Sequence, residues 1–288
     1  MIRRKVQAST LAIMPRIFLH LGYKGTAYHG WQTQAPPLVT IQKTIEDCLE
    51  KMLGYHVHLH GCGRTDAGVH ARSYYAHIDL REAIDFDAAF RLNRMLPADI
   101  AIFDWIVVGN DAHAQRDATF RKYEYHIDLV KNPLRGDLAG RYDATPLDLN
   151  LMQEVVSCIR SQPAGKLDGI AQSAREQSIN FRAFCRSPEQ YPDTVCRIDE
   201  CTLTTSNEGR SLIFTIQGNR FLHNMVRLLV ARMIDVGRGA LSLADIEIAF
   251  ETGNPCKYEN PAYAEGLYLV EVGYDFLEKV DWALSQGR

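Results

Sequence analysis

The chain has 288 residues, 46% of them hydrophobic and 23% charged, with a formal net charge of −3. This is the composition of an ordinary globular protein, long enough for one large core or two modest ones, and its charge argues against indiscriminate binding of polyanions. Seven cysteines, at 48, 62, 158, 185, 196, 201 and 256, include no CxxC pair, so neither a disulfide framework nor a zinc ribbon is indicated and a reducing cytoplasm fits best.

Residues 1–15, MIRRKVQASTLAIMP, are basic and then mildly apolar, and the run is broken by Gln, Ser and Thr. They read as a flexible leader. Residues 16–23, RIFLHLGY, read as a strand closed by Gly22 and Gly25. Thr40 is placed to cap a helix whose apolar positions Ile41, Ile45, Leu49 and Met52 share one face and which Gly54 stops. Strands are expected near 56–60, 73–80 and 100–108, with a helix near 87–96. A second set follows: a strand at 119–130, a helix near 148–161, a hairpin from about 194 to 218 turning at Ser206-Asn207-Glu208-Gly209, and an arginine-bearing helix. Ser242 opens a short helix with Asp245 in its first turn, and GLYLVEVGY is a last strand. No stretch approaches the ~18 apolar residues of a membrane span. Hairpin-type connections outnumber βαβ units, so the expected class is α+β: two subdomains, 16–111 and 112–288, sharing a mostly antiparallel sheet with a cleft between them.

Within this frame, residues 61–71 read GCGRTDAGVHA, directly after the alternating run His56-Val57-His58-Leu59-His60. A strand ending in a glycine-hinged loop would present one carboxylate, Asp66, beside one guanidinium, Arg64. An aspartate after threonine also serves as a cap for a neighbouring amide, so the loop alone is consistent with either role. His56, His58 and His60 would share one strand face, but without a nearby acid or cysteine a solvated face is the better reading than a metal site. In FRKYEYHIDL, residues 120–129, Arg121, Tyr123, Tyr125 and Ile127 share a face. The tyrosines are core aromatics or a stacking platform for a nucleobase, with Arg121 as a phosphate contact. Residues 219–238 carry Arg220, Arg227, Arg232 and Arg238 against one acid, Asp235, and read equally as a polyanion patch or as a solvated face or core-edge arginines of a helix. No GxxxxGK[ST], GxGxxG or GxSxG motif occurs.

GCGRTDAGVHA together with YKGTAYHGWQTQ (23–34), TIQKTIE (40–46), LNRMLPADIAI (92–102), RKYEY (121–125), FLHNMVR (221–227) and AEGLYLVEV (264–272) resembles the TruA family of tRNA pseudouridine synthases. The pieces occur in the family's order and cover roughly residues 16–275. The resemblance implies two RNA-recognition-like (ferredoxin-like) subdomains around a shared sheet, a homodimer, no cofactor and no metal. It also implies isomerisation of uridine in the tRNA anticodon stem-loop, at tRNA positions 38, 39 or 40. It assigns Asp66 as catalytic, Tyr123 as stacked on the uracil, Arg227 as the partner of Asp66, and Leu267 as lining the uracil pocket. Arg64, beside the aspartate, is expected to help Arg227 keep it ionised and to be a substrate contact, and Arg121 and Arg220 are candidate RNA contacts. The chain departs from the family pattern at Gln115 and Arg116, at residues 179–184, and at Cys62, where alanine or serine is common. The first two departures bear on which RNA is bound.

Pseudouridine formation breaks the N1–C1′ bond, turns the uracil and rejoins it through C5, so one ionised carboxylate suffices, as nucleophile or as base. Two rivals remain: the same isomerisation on another RNA, and a non-catalytic RNA-binding factor of the same fold. A nucleoside hydrolase suits a lone carboxylate less well.

Overall fold

The computed structural model describes residues 14–143, 146–162, 178–206, 209–257 and 260–277. The leader expected at 1–15 falls almost wholly outside these residues, as do Asn207 and Glu208 of the expected hairpin turn. The apolar alternations become ten strands: β1 (Arg16–Tyr23), β2 (His60–Gly61), β3 (His70–Asp79), β4 (Ile100–Val108), β5 (Phe120–Asp128), β6 (Gly140–Arg141), β7 (Ser178–Asn180), β8 (Val195–Ser206), β9 (Ser211–Gly218) and β10 (Leu267–Gly273). They form one mixed, mostly antiparallel sheet in the order β4-β1-β3-β10-β5-β9-β8-β7, with β2 on β3 and β6 on β5. With five helices among the described residues, the class is α+β.

Each helix begins where a cap residue was available. Thr40 accepts from the Lys43 amide to start α1 (Ile41–Leu53), and Gly54 ends it at φ 77°. Asp87 caps α2 (Ala88–Met95) and Asp148 caps α3 (Leu149–Ser161). α4 spans Met225–Gly237, and Ser242 with Asp245 forms a capping box for α5 (Leu243–Thr252).

Two buried clusters lie along the sheet. One holds Phe18, Leu19, Ile41, Ile45, Tyr74 and their neighbours, and the other Tyr125, Phe181, Phe214, Leu229 and theirs. Tyr123 packs against both clusters, and Leu269 and Val272 of β10 belong to the first. The seam between the clusters is the parallel pairing of β10 with the start of β3, Tyr268 opposite His70 and Leu269 opposite Ala71.

The strand expected at 56–60 is the one element that does not form as such. Only His60 enters the sheet, opposite His77. The alternation is real, with Val57 and Leu59 buried and His56, His58 and His60 exposed. Side chains of α1 occupy the backbone groups that a neighbouring strand would have used: Leu59 N–H donates to Glu46 Oε1 at 2.9 Å, and Gln42 Nε2 donates to Leu59 O at 3.0 Å. Glu50 and Glu46 also meet His56 and His58, acids supplied by a helix rather than by the strand's own neighbourhood. Among the described residues no group of three or more His, Cys, Asp and Glu is arranged to hold a metal ion, and no helix is long and apolar enough to cross a membrane.

His60 stacks on His77 at 4.8 Å, and His113 meets His77 edge-on at 4.7 Å. His77 accepts the Ala114 N–H at Nδ1. Burial, with Arg16, His60 and His113 nearby and Asp79 only partly opposing them, pushes the His77 imidazole down to about 3. The unfolded chain takes up that proton from about pH 6.5 downward, whereas the folded one resists it. Stability is therefore lost as pH falls below about 6.5, by on the order of 1 kcal/mol per pH unit. His77→Gln, which keeps an acceptor for Ala114, should show a shallower fall in thermal midpoint between pH 7 and 5 than the wild type. Equal slopes would remove His77 as the cause.

Candidate active site

Because β2 pairs with the far end of β3, the loop 62–69 is left over the seam beside β10 and β5. It is pinned on both flanks. Cys62 N–H donates to Tyr75 O at 2.8 Å, Trp31 N–H to Thr65 O at 3.1 Å, and the Tyr23 hydroxyl meets Thr65 Oγ1 at 2.8 Å. Gly30, at φ +86°, lies so close that a Cβ there would stand 2.5 Å from Thr65 O, and Gly68 turns the chain back at φ +83°. A side chain at position 30 would push the loop off its seat.

The loop carries Asp66 to the first turn of α4. Arg227 Nη1 donates to Asp66 Oδ2 at 2.8 Å, and Asn224 Nδ2 donates to the same oxygen. Arg227 is itself fixed, since its Nε donates to Ala262 O at 2.8 Å and its carbonyl accepts from Ala262 N–H. The guanidinium is 15% exposed and the carboxylate 30%. The pair is thus partly screened by solvent, and it lies at the amino end of α4.

Asp66 opens into a cavity of about 980 Å³ whose lining includes Tyr123, Arg220, Phe221, Asn224, Arg227 and Leu267. Tyr123, opposite Leu269 on β10 and Ile216 on β9, sets its ring edge-on to Phe221 at 4.9 Å. Burial first, and the neighbouring Cys62 and Asp66 after it, push its phenol well above the ordinary tyrosine value, so the ring is neutral. Leu267 opens β10 opposite Tyr125 and is buried. An aromatic face, an aliphatic wall and a charged carboxylate edge thus meet in one space, a combination that fits a planar polar ring.

Three expectations are corrected. Arg64 does not neutralise Asp66. It lies exposed on the cavity lining with no hydrogen bond or ion pair to the carboxylate, while the next residue, Thr65, is bonded into the first core through Tyr23. The ionic partner is Arg227 of α4, the residue that the resemblance assigns to that place, 161 positions along the chain from Asp66. Arg121 is not a free phosphate contact, because its guanidinium donates to the carbonyls of Ala118, Asn219, Cys62 and Gln115, tying three loops together. Residues 219–238 are not an open basic patch, and of the alternatives the core-edge reading is the nearest. Arg220 precedes the helix and is bound to Asp193 and Val195, while Arg232 and Arg238 both meet the buried Asp235. Among the arginines lining the cavity, Arg64 and Arg186 are those whose guanidinium groups make no bond to a described residue.

Asn224 is the residue that sequence reasoning passed over. It stands in FLHNMVR directly before the helix, where its type suggests an ordinary cap. The departures separate: Gln115 lines the cavity, whereas Phe181 and Phe184 of residues 179–184 are buried against Phe250. Cys62 lies fully buried behind the loop, its thiol pushed up to about 11 by burial, so it packs as an apolar residue.

Comparison with known proteins agrees with this geometry. A family model described as tRNA pseudouridine synthase matches residues 178–275. The chain is 37% identical over 262 residues to tRNA pseudouridine synthase A of Azobacteroides pseudotrichonymphae, covering 91% of this chain and 97% of that protein. It is 37% identical over 261 residues to tRNA pseudouridine synthase A of Bacteroides fragilis, covering 90% and 96%, and 31% identical over 258 residues to that of Latilactobacillus sakei, covering 88% and 96%. The chain belongs to the TruA family of tRNA pseudouridine synthases.

The geometry of Arg121 yields a direct test. Arg121→Ala leaves several partly buried carbonyls without donors and should lower unfolding stability by about 2–3 kcal/mol in chemical denaturation. The salt dependence of RNA binding should stay as in the wild type. A stable variant with a flattened salt slope would restore the phosphate role.

Proposed function

We propose that the protein isomerises uridine to pseudouridine in the anticodon stem-loop of tRNA, at tRNA positions 38, 39 or 40, with Asp66 as its single catalytic carboxylate. The observation that carries this reading is the Arg227–Asp66 pair, which holds the carboxylate at a cavity faced by Tyr123 and Leu267. The target nucleotide leaves its stack to enter the cavity, at a cost of roughly a few kcal/mol. Its uracil lies on Tyr123 and against Leu267, and the carboxylate acts at the sugar or the base. The N1–C1′ bond breaks, the uracil turns in place, C5 joins C1′, and the C5 proton is lost as N1 regains one. No external group is consumed. Arg64 and Arg186, with unspent guanidinium groups at the cavity, are suited to the phosphates on either side.

The same reading extends to the architecture. Two RNA-recognition-like subdomains, divided near 111–112, are supported by the two core clusters, although Ala112, Ala114 and Ala118 pack with the first. The working unit is a homodimer in the cytoplasm that holds structured tRNA across both subunits. The dimer rests on the family resemblance. Light scattering should give twice the chain mass, and a monomer active on short unstructured RNA would rule the dimer out.

One set of variants tests the site. Asp66→Asn should abolish pseudouridine formation while leaving tRNA affinity within about tenfold, because phosphate contacts dominate binding. Tyr123→Ala should lose ~1–3 kcal/mol of binding, and Tyr123→Phe should keep most of it. Normal turnover by Asp66→Asn would remove the aspartate from the chemistry. Equal losses of stability in both Tyr123 variants, without kinetic change, would make that ring a core aromatic only.

A further inference from the structure

The caps of the five helices differ in one respect. Thr40, Asp87, Asp148 and Ser242 each accept a backbone N–H of the first turn through the side chain. Asn224, the cap residue of α4, does not. Asparagine is among the best cap residues, so a side chain withheld from that task is withheld for another use. Its backbone stands at φ 59°, the one non-glycine residue at positive φ among those described, and the residue is 9% exposed. What the side chain does instead is donate from Nδ2 to Asp66 Oδ2. The amide must be turned this way, because an ionised carboxylate offers no hydrogen for the carbonyl end to accept.

Arg227, the third residue of α4, donates to the same oxygen. Both donors therefore come from one rigid turn, and among the described residues nothing donates to Oδ1. A single ion pair leaves a carboxylate free to swing about its Cβ–Cγ bond. Two donors of different length and direction converging on Oδ2 fix the plane of the group and decide which oxygen remains for the substrate.

We propose that Asn224 is a positioning residue for the isomerisation: with Arg227 it holds Oδ2 of Asp66 so that Oδ1 is the oxygen presented to the target nucleotide. The inference rests on the functional reading above. Its opposite is that asparagine stands at 224 only because it tolerates a left-handed backbone.

Glycine and aspartate separate these roles, since both accept positive φ and neither supplies the donor. Asn224→Gly should keep the thermal midpoint within about 2 °C and tRNA affinity within about threefold. Its single-turnover rate at saturating tRNA should fall at least about tenfold, in the direction of the losses seen when one preorganised donor is removed from a site. Asn224→Asp, which sets a second carboxylate against Asp66, should fall further. Nitrogen-15 NMR reads the contact itself: an Asn224 side-chain amide proton should lie downfield and move in Asp66→Ala. A wild-type rate in Asn224→Gly, or a loss confined to tRNA affinity, would overturn the proposal. So would an amide resonance indifferent to Asp66→Ala. If the wild-type protein forms no pseudouridine on any tRNA, the functional reading fails by itself, and the amide resonance still decides whether Asn224 holds the carboxylate.

Discussion

The constraint on which the structure turns is the meeting of one carboxylate with the first turn of one helix across the seam between two cores. Asp66 comes from a loop anchored to the first cluster through Thr65 and Cys62, and Arg227 and Asn224 come from a helix buried in the second. An ion pair at this depth is weak evidence for net stability, because both partners give up solvation to form it. Its value lies in geometry. The parallel rungs of β10 on β3 set the distance between the halves, and the glycines at 30 and 68 let the loop approach closely enough for the pair to close.

The cations divide by what they already hold. Arg121, Arg220, Arg232 and Arg238 spend their donors on carbonyls or buried acids, so a count of arginines overstates the charge offered to a polyanion. Arg121 is the clearest case. It joins the 62–69 loop, the 115–118 segment and the end of β9, the backbone that frames Tyr123. A guanidinium whose four Nη bonds all go to carbonyls works as a clamp. Arg64 and Arg186, exposed on the cavity lining, keep their charge for a ligand.

Tyr123 shows how one residue serves both layers of the design. Its strand position puts it where both cores pack against it, and the same placement turns part of its ring toward the cavity. Burial keeps the phenol neutral, so the ring offers a stacking face with no charge to solvate.

Local signals were enough for most of the scaffold. Thr40, Asp87, Asp148, Ser242 and Gly54 act within a few residues of themselves, and the apolar runs of β1, β4, β5 and β10 form strands whichever neighbours they join. Ordered motifs likewise made Asp66, Tyr123, Arg227 and Leu267 legible as candidates. Spacing alone could not show which guanidinium meets Asp66, and only the resemblance pointed to Arg227. Arg64, two residues away, was the nearer in sequence, and Arg227 proved the nearer in space. The same limit hid the clamp role of Arg121, the buried setting of Arg232 and Arg238, and the refusal of 56–60 to pair as a strand. Most of these depend on partners far along the chain, as Cys62 and Asn219 are from Arg121, while Arg232 and Arg238 meet an acid three positions away that only the packing of the helix buries. Caps and periodicity are short-range and survive in any packing, whereas the partner of Asp66 is reached only when the sheet order brings remote segments together.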